Sequence, residues 1–279
     1  MKSLISNRNA PADPTATWVR SIAHGLIVLI SVCCFGAYAR TQTADELIAK
    51  NVQARGGIEK MKAIHTVRMT GRFTGRFGRR SRTMSAGQEN ARPNLVRETL
   101  SQQGLTQVDA YDGTSGWQIQ PFRGRKDPQL MGEDTLRDLL LDADFDGPLV
   151  DYKEKGNTVE YLGHDLVDGD DALRLKITLK NGDIIYDYLD PDTFMEIRQD
   201  VQQFIRGSVR DRVVSLGSYK PVAGVMYPFW IAEGPKANPD AQTYTWQKVE
   251  VNVPIDPADF NLPESLKTEE KKSGMVGIH

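Results

Sequence analysis

The spacing of apolar residues divides the chain into a short helical start and a long stretch of strands. Between Thr43 and Gly57, Leu47, Ile48, Val52 and Ala54 recur near helical spacing. Thr43 followed three residues later by Glu46 predicts a capping box, and Gly56-Gly57 predicts the stop. A second short helix is expected over Ile58–Ala63. Beyond Ile64 the period drops to two. Strands are predicted over Val67–Phe77, Asn94–Thr99, Leu105–Tyr111 and Gly116–Gln120, with Asp112-Gly113 as a hairpin turn. Leu173, Leu175, Ile177 and Leu179 alternate with Arg174, Lys176, Thr178 and Lys180, the pattern of a half-buried strand. Asn181-Gly182 turns it into Ile184–Leu189. Phe194–Phe204, Gly207–Tyr219, Val225–Ala232 and Gln242–Val253 complete the set. One helix interrupts, Glu133–Ala143, with acids in its first turn and Leu136, Leu139, Leu140 and Ala143 on one face. The fold class is therefore mainly β (α+β): ten or eleven strands in a meandering antiparallel sheet, forming one domain over residues 40–263. Residues 264–279 are charged and patternless and are expected to be disordered.

Residues 1–39 follow different rules. A polar stretch carrying Lys2, Arg8 and Arg20 precedes an apolar run from Ile22 to Gly36, which ends in Ala37-Tyr38-Ala39. A basic flank, a short apolar run and a small-x-small site predict a signal peptide cleaved near Ala39 and export to the periplasm. An uncleaved inner-membrane anchor is the alternative. Both cysteines, Cys33 and Cys34, lie in this segment, so the exported chain contains no disulfide or thiolate chemistry. Its removal takes away three basic residues and one acid, moving the net charge from −2 to −4. That charge argues against a nucleic-acid partner.

Few residues suit catalysis. His65, His164 and His279 are the only histidines left after cleavage, and no H-E-x-x-H, G-x-S-x-G or phosphate-binding glycine loop occurs. His164-Asp165 is expected in a surface loop. Asp142-Ala-Asp144-Phe-Asp146-Gly147 opens like a calcium loop, but Lys153 stands where the bidentate glutamate belongs. A helix-ending turn with solvated aspartates is expected there, and no metal or cofactor. Arg72, Arg76, Arg79, Arg80 and Arg82 form a basic cluster that suits either a solvated hairpin tip or an anionic headgroup.

Aromatic and aliphatic residues on strands are more informative. Phe73, Phe77, Trp117, Leu175, Ile177, Tyr186, Phe229 and Trp246 are candidate cavity residues. An ordinary β core is the plainer account of them, and an apolar cavity is the alternative. A strongly curved sheet, however, leaves one face that its own side chains do not fill, and a helix or a ligand then occupies it.

Three segments carry a family resemblance. They are Asp45-Glu-Leu-Ile-Ala-Lys through Gly56-Gly57 to Met61-Lys-Ala-Ile, the pattern Tyr219-Lys-Pro-Val222-Ala-Gly224-Val225 with Pro228-Phe229, and Val249-Glu-Val-Asn252-Val-Pro-Ile-Asp256 with Phe260 and Pro263. In this order they resemble the LolA/LolB-like superfamily. Asp144–Gly156 looks like the bacterial subgroup of outer-membrane lipoprotein-sorting proteins. The resemblance implies an incomplete antiparallel β-barrel with helices packed across its open concave face. It also implies a monomeric carrier, not an enzyme, that shields lipid acyl chains or a lipoprotein in an apolar cavity and meets inner- and outer-membrane partner proteins. In such carriers a strand arginine bonds to the backbone of the lid, and Arg68 or Arg72 is the candidate for that gating role. An envelope lipid sensor or scaffold of the same fold is the alternative function. An enzyme acting on lipids or glycans is a third class.

Overall fold

The computed structural model describes residues 42–77 and 80–267, with the backbone alone at Phe77 and Arg80. The expected export signal lies outside the described residues. The chain divides into two units between Gln42 and Thr43. The second unit opens with α1 (Ala44–Ala54) and α2 (Ile58–Lys62). Strands β1 (Thr66–Phe77), β2 (Arg80–Ala91), β3 (Leu95–Gln102), β4 (Leu105–Tyr111), β5 (Gly116–Gln120) and β6 (Arg125–Leu130) come next. Helix α3 (Glu133–Ala143) separates these from β7 (Thr158–Val167), β8 (Asp170–Thr178), β9 (Ile184–Leu189), β10 (Glu196–Ile205) and β11 (Ser208–Gly217). A small ribbon, β12 (Lys220–Val222) and β13 (Val225–Tyr227), leads to β14 (Trp230–Pro235) and β15 (Gln242–Val251). Among the described residues no helix is long and apolar enough to cross a membrane.

Thirteen strands form one sheet in the order β6-β5-β4-β3-β2-β1-β15-β14-β11-β10-β9-β8-β7. Two meanders are thus joined through the β14–β15 hairpin at the centre. Strands β6 and β7 form the two edges and are not paired with each other, so the sheet stays open. The chain passes from one edge to the other through α3.

Helices α1, α2 and α3 lie on one face. Leu173, Leu175 and Ile177 of β8 pack against Leu47 and Ile48 of α1. Val67 and Phe73 of β1 pack with Met61 of α2. Val96 of β3 and Tyr111 of β4 pack with Leu139 and Ala143 of α3. Side chains alternate across a strand, so residues in phase with these form the inner face, and their neighbours form the outer face.

The first helix forms as its sequence predicts. The Thr43 side chain accepts from the Glu46 amide and the Glu46 carboxylate accepts from the Thr43 amide, at 3.2 and 3.1 Å. The three segments of the family resemblance meet in space. Gly56 adopts φ +119°, and a Cβ there would lie 2.1 Å from the Gly224 carbonyl oxygen. The Met226 amide donates to the Arg55 carbonyl at 2.9 Å. Asn252 ties the last strand to the start of β1: its Oδ1 accepts from the His65 amide at 2.7 Å and its Nδ2 donates to the Ala63 carbonyl at 3.0 Å. Only glycine fits where two backbones approach this closely at positive φ.

The sheet has more strands than the pattern predicts. Strand β2 is polar along most of its length, yet it pairs residue for residue with β1 from Thr66↔Ala91 to Phe77↔Arg80. Backbone bonds to neighbours on both sides hold it in place, with Met84 and Ala86 its only contribution to the inner-face cluster. Strand β7 is an edge strand interrupted at Gly163, where its register with β8 shifts. His164 therefore lies in a strand rather than the expected loop. The tail also orders further than expected: Leu262 and Leu266 are buried against Val108, Ala110 and Trp117 on the outer face of β4 and β5.

Candidate functional site

Helix α3 crosses the inner face as a strap. At its N-terminal half, Arg137 donates to Asp183 Oδ1 at 3.0 Å and to the Phe204 carbonyl at 3.1 Å. Arg206 pairs with Asp134 at 3.0 Å, and Arg210 pairs with Asp138. These contacts reach the β8–β9 turn and the β10–β11 hairpin. At its C-terminal end, Asn90 Nδ2 of β2 donates to the Asp142 carbonyl at 2.7 Å, and Leu139 packs on Val96. The strap is fastened to both limbs of the sheet, and the strands between them pass beneath it.

Beside and beneath α3 runs a trench of about 480 Å³. Its carboxylates come from both sides: Glu98 of β3, Asp109 of β4, Asp138 and Asp142 of α3, and Glu233 of β14. Arg212 of β11 lies among them and donates to Glu233 Oε2 at 2.9 Å. The register explains the polar wall. Gln88, Glu98, Asp109 and Gln118 are cross-strand neighbours on β2 to β5, so they form one transverse row. Gln107 and Gln120 donate to the two oxygens of Asp109 at 2.8 and 3.0 Å. A smaller recess of about 40 Å³ adjoins the trench through Glu98, Gln107 and Asp109. Tyr244 and Trp246 line that recess, their rings stacked at 5.7 Å. Trp246 is only 4% exposed, and its indole N–H has no hydrogen-bond partner among the described residues.

The trench shifts the protonation of its acids. Burial pushes Asp142 up to about 7; Arg212 opposes this, and Glu233 and Asp138 reinforce it. Burial also raises Glu98 well above the usual carboxylate range, helped by Asp142, Asp109 and Glu233 and opposed by Arg212. Asp109 rises through burial despite its two glutamine donors. Near neutral pH the trench therefore holds protons on carboxyl groups, because charge is costly out of bulk water.

The structure disperses the candidate cavity residues. Phe73, Phe229 and Trp246 join one inner-face cluster with Met61, Met84 and Val249. Leu175 and Ile177 are completely buried against α1 and Leu149 and form packed core. Trp117 lies on the outer face under the C-terminal segment, its Nε1 donating to the Phe260 carbonyl at 2.9 Å. Tyr186 is also on the outer face, where the Arg174 guanidinium stacks on it at 4.3 Å. That pair lines a separate groove of about 340 Å³ with Asp165, Tyr188, Asp200 and Lys236. The Phe77 side chain lies outside the described residues.

The gating candidates also lie away from the helices. Arg68 and Arg72 alternate with Val67, Met69 and Phe73 and so belong to the outer face. Arg68 donates to Glu89 at 2.7 Å and to the Pro254 carbonyl at 3.0 Å. A strand-end arginine that bonds to helix backbone does exist: Arg92, just past β2, donates to the Met61 and Ile64 carbonyls at 3.0 and 2.7 Å. The expected solvated aspartates are engaged as well. Asp146 is buried and receives two bonds from Arg92 at 2.8 and 2.9 Å, while Asp144 holds Lys155 at 2.6 Å. His164 bonds to Asp171 at 2.8 Å, not to its sequence neighbour.

The acids of the trench went unrecognised in the sequence, although a signal exists. Glu98 is in phase with Val96 and Leu100, Asp109 with Tyr111, and Asp142 lies one turn from Leu139. A charge on the apolar phase of an element marks a buried polar position.

No protein-family model and no curated protein sequence matches the chain. Solved structures do. A DUF1329 family protein from Desulfovibrio piger superposes with a TM-score of 0.55 at 12% identity, over 81% of this chain and 99% of that one. A LolA superfamily protein from Nitrosomonas europaea gives 0.52 at 11% identity, over 80% and 99%. The chain has the LolA-like fold. A domain from Vibrio parahaemolyticus, described as that of an outer membrane lipoprotein-sorting protein, gives 0.50 at 12% identity, over 77% and 97%. At these identities the likeness is one of fold. It bears out the expected class, a large antiparallel sheet left open with helices across its inner face.

Proposed function

We propose that this protein is an exported carrier of the cell envelope that holds a lipid or a lipidated protein between α3 and the inner face of its sheet. The observation that carries this reading is the strap: a helix fastened at both ends by side-chain bonds over an open trench of about 480 Å³. Most of its fastenings are exposed ion pairs and single hydrogen bonds worth about 1 kcal/mol or less each, and the Arg137 bond to the buried Asp183 carboxylate is the stronger one. Several such contacts hold a lid shut yet let a ligand displace it. Lifting α3 uncovers Leu136, Leu139, Met131, Val96 and Tyr111, an apolar lining for acyl chains. Each methylene so sheltered stabilises the complex by about 0.8 kcal/mol, so one acyl chain supplies micromolar affinity. The fold neighbours, among them a lipoprotein-sorting domain, support the same class. The apparent signal sequence supports a periplasmic location and a domain beginning near residue 40.

The test is native mass spectrometry of the protein purified from the envelope, with extraction of bound lipid. The expected result is a co-purifying lipid and uptake of a fluorescent fatty acid. Absence of both overturns the carrier reading. Transfer between vesicles separates a carrier from a sensor or scaffold, which binds without moving its ligand.

A further inference from the structure

The lining of the trench does not match a purely apolar cargo, and this mismatch points to the headgroup. Resting on the carrier reading above, we propose that the trench recognises an ammonium group next to an oxygen acceptor, as in an aminoethyl headgroup, seated among Glu98, Asp109 and Asp142 beside the Tyr244–Trp246 recess.

Two independent observations carry this. First, carboxyl groups converge from β3, β4, α3 and β14, and the Arg212 set among them is already paired with Glu233 at 2.9 Å. Among the described residues no three acidic or histidine side chains are grouped to hold a metal ion. Spread carboxylates fit a cation with several N–H donors on a flexible chain better than a point ion. Second, Trp246 lines the adjoining recess, and its buried indole N–H has no partner among the described residues. A buried donor left unpaired is costly, and the described residues supply no acceptor for it. A ligand that brings an oxygen beside its ammonium satisfies the indole and the carboxylates together. The stacked faces of Tyr244 and Trp246 add attraction for the same cation. Arg123 and Arg125 also line the trench and fit a phosphate on the same headgroup.

The charged and titratable groups facing the site are Glu98, Asp109, Asp138, Asp142, Glu233, Arg123, Arg125, Arg212 and Tyr244. Burial holds protons on Glu98 and Asp142, and an entering cation favours their ionised forms. Binding therefore releases protons and tightens as pH rises from about 6 to about 8.

The experiment is isothermal titration with three probes. Lysophosphatidylethanolamine and lysophosphatidylglycerol of the same chain length share acyl chain and phosphate but differ in the ammonium. 2-Aminoethanol tests the free amine. We expect lysophosphatidylethanolamine to bind about tenfold or more tightly than lysophosphatidylglycerol, the scale of one charge-assisted contact. Glu98→Gln and Asp142→Asn should each abolish that preference while leaving lysophosphatidylglycerol binding unchanged. Trp246→Phe should weaken the aminolipid alone. If 2-aminoethanol binds with the same variant sensitivity and the lipids do not, the ammonium site stands and its ligand is a free amine, while the lipid-carrier reading fails. Equal binding of both lipids, insensitive to the variants, overturns the ammonium inference and leaves the carrier reading intact. Failure of all three probes overturns both.

Discussion

Replacing Asp142 by Asn should make the protein more stable at neutral and alkaline pH, the opposite of most substitutions at a partly buried position. The carboxyl's pKa is raised to about 7 from 3.8, with burial the main cause and Glu233 and Asp138 adding to it against Arg212. In the unfolded chain the same group ionises near the ordinary value. A raised folded pKa contributes stability that is fully present below about pH 4 and is lost as pH climbs through about 7. Three pH units at about 1.36 kcal/mol each set a ceiling of about 4 kcal/mol. Water in the open trench and relaxation around Arg212 lower the realised value to about 1–2 kcal/mol. Asn keeps the volume and cannot ionise, and Arg212 keeps Glu233 as its partner. Urea unfolding at pH 4.5, 6, 7.5 and 9 should show the wild type losing stability across this range and the variant losing less. At pH 8 the variant's melting temperature should rise by roughly 2–4 °C for each kcal/mol gained. A variant less stable than wild type at pH 8 refutes the argument, because Asp142 would then be an ionised partner of Arg212 rather than a neutral acid.

Three further substitutions probe the frame around the trench. Leu175→Asp should abolish folding, seen as loss of the cooperative thermal transition, because Leu175 is completely buried against Leu47 and Ile48; Leu175→Ala should cost about 2–5 kcal/mol in urea titration. A variant that keeps its fold but loses ligand uptake would instead place Leu175 on a cavity wall. Gly56→Ala meets the Gly224 carbonyl oxygen at 2.1 Å in a backbone at φ +119°, and should cost about 2–5 kcal/mol by denaturant midpoint. Arg92→Met removes the bonds to the Met61 carbonyl of α2 and the Ile64 carbonyl just past it and leaves the Asp146 carboxylate to Lys62 alone, costing about 3 kcal/mol. Burial opposes ionisation of Asp146, but Arg92 and Lys62 outweigh it and hold its pKa below the ordinary value. The stability from this clamp is therefore present above about pH 4 and fades as pH falls further. The wild type should lose stability in acid more steeply than Arg92→Met.

Local rules made much of the fold legible. Thr43, Glu46 and the apolar stripe at Leu47, Ile48 and Val52 determine α1, and Glu133–Ala143 emerges as α3 with the same bounds as its pattern. The Leu173–Ile177 alternation determines β8. These signals reside within a few residues of each other, and hydrogen bonds or one buried face suffice to produce them. Strand β2 escapes such a reading because its conformation is imposed by β1 and β3 on either side. Position relative to the helices escapes it too. Trp117, Tyr186, Leu175 and Phe73 look alike in sequence, yet the sheet places the first two on the outer face and the other two in the inner core. The site is the extreme case. Glu98, Asp109, Asp142, Arg212 and Glu233 span more than half of the described chain, and only the thirteen-strand order with α3 across it brings them together. The sequence by itself determined the local conformations and the open-sheet class. Tertiary structure decided which charges share one low-dielectric trench, because cross-strand register and burial are properties of strands distant in sequence.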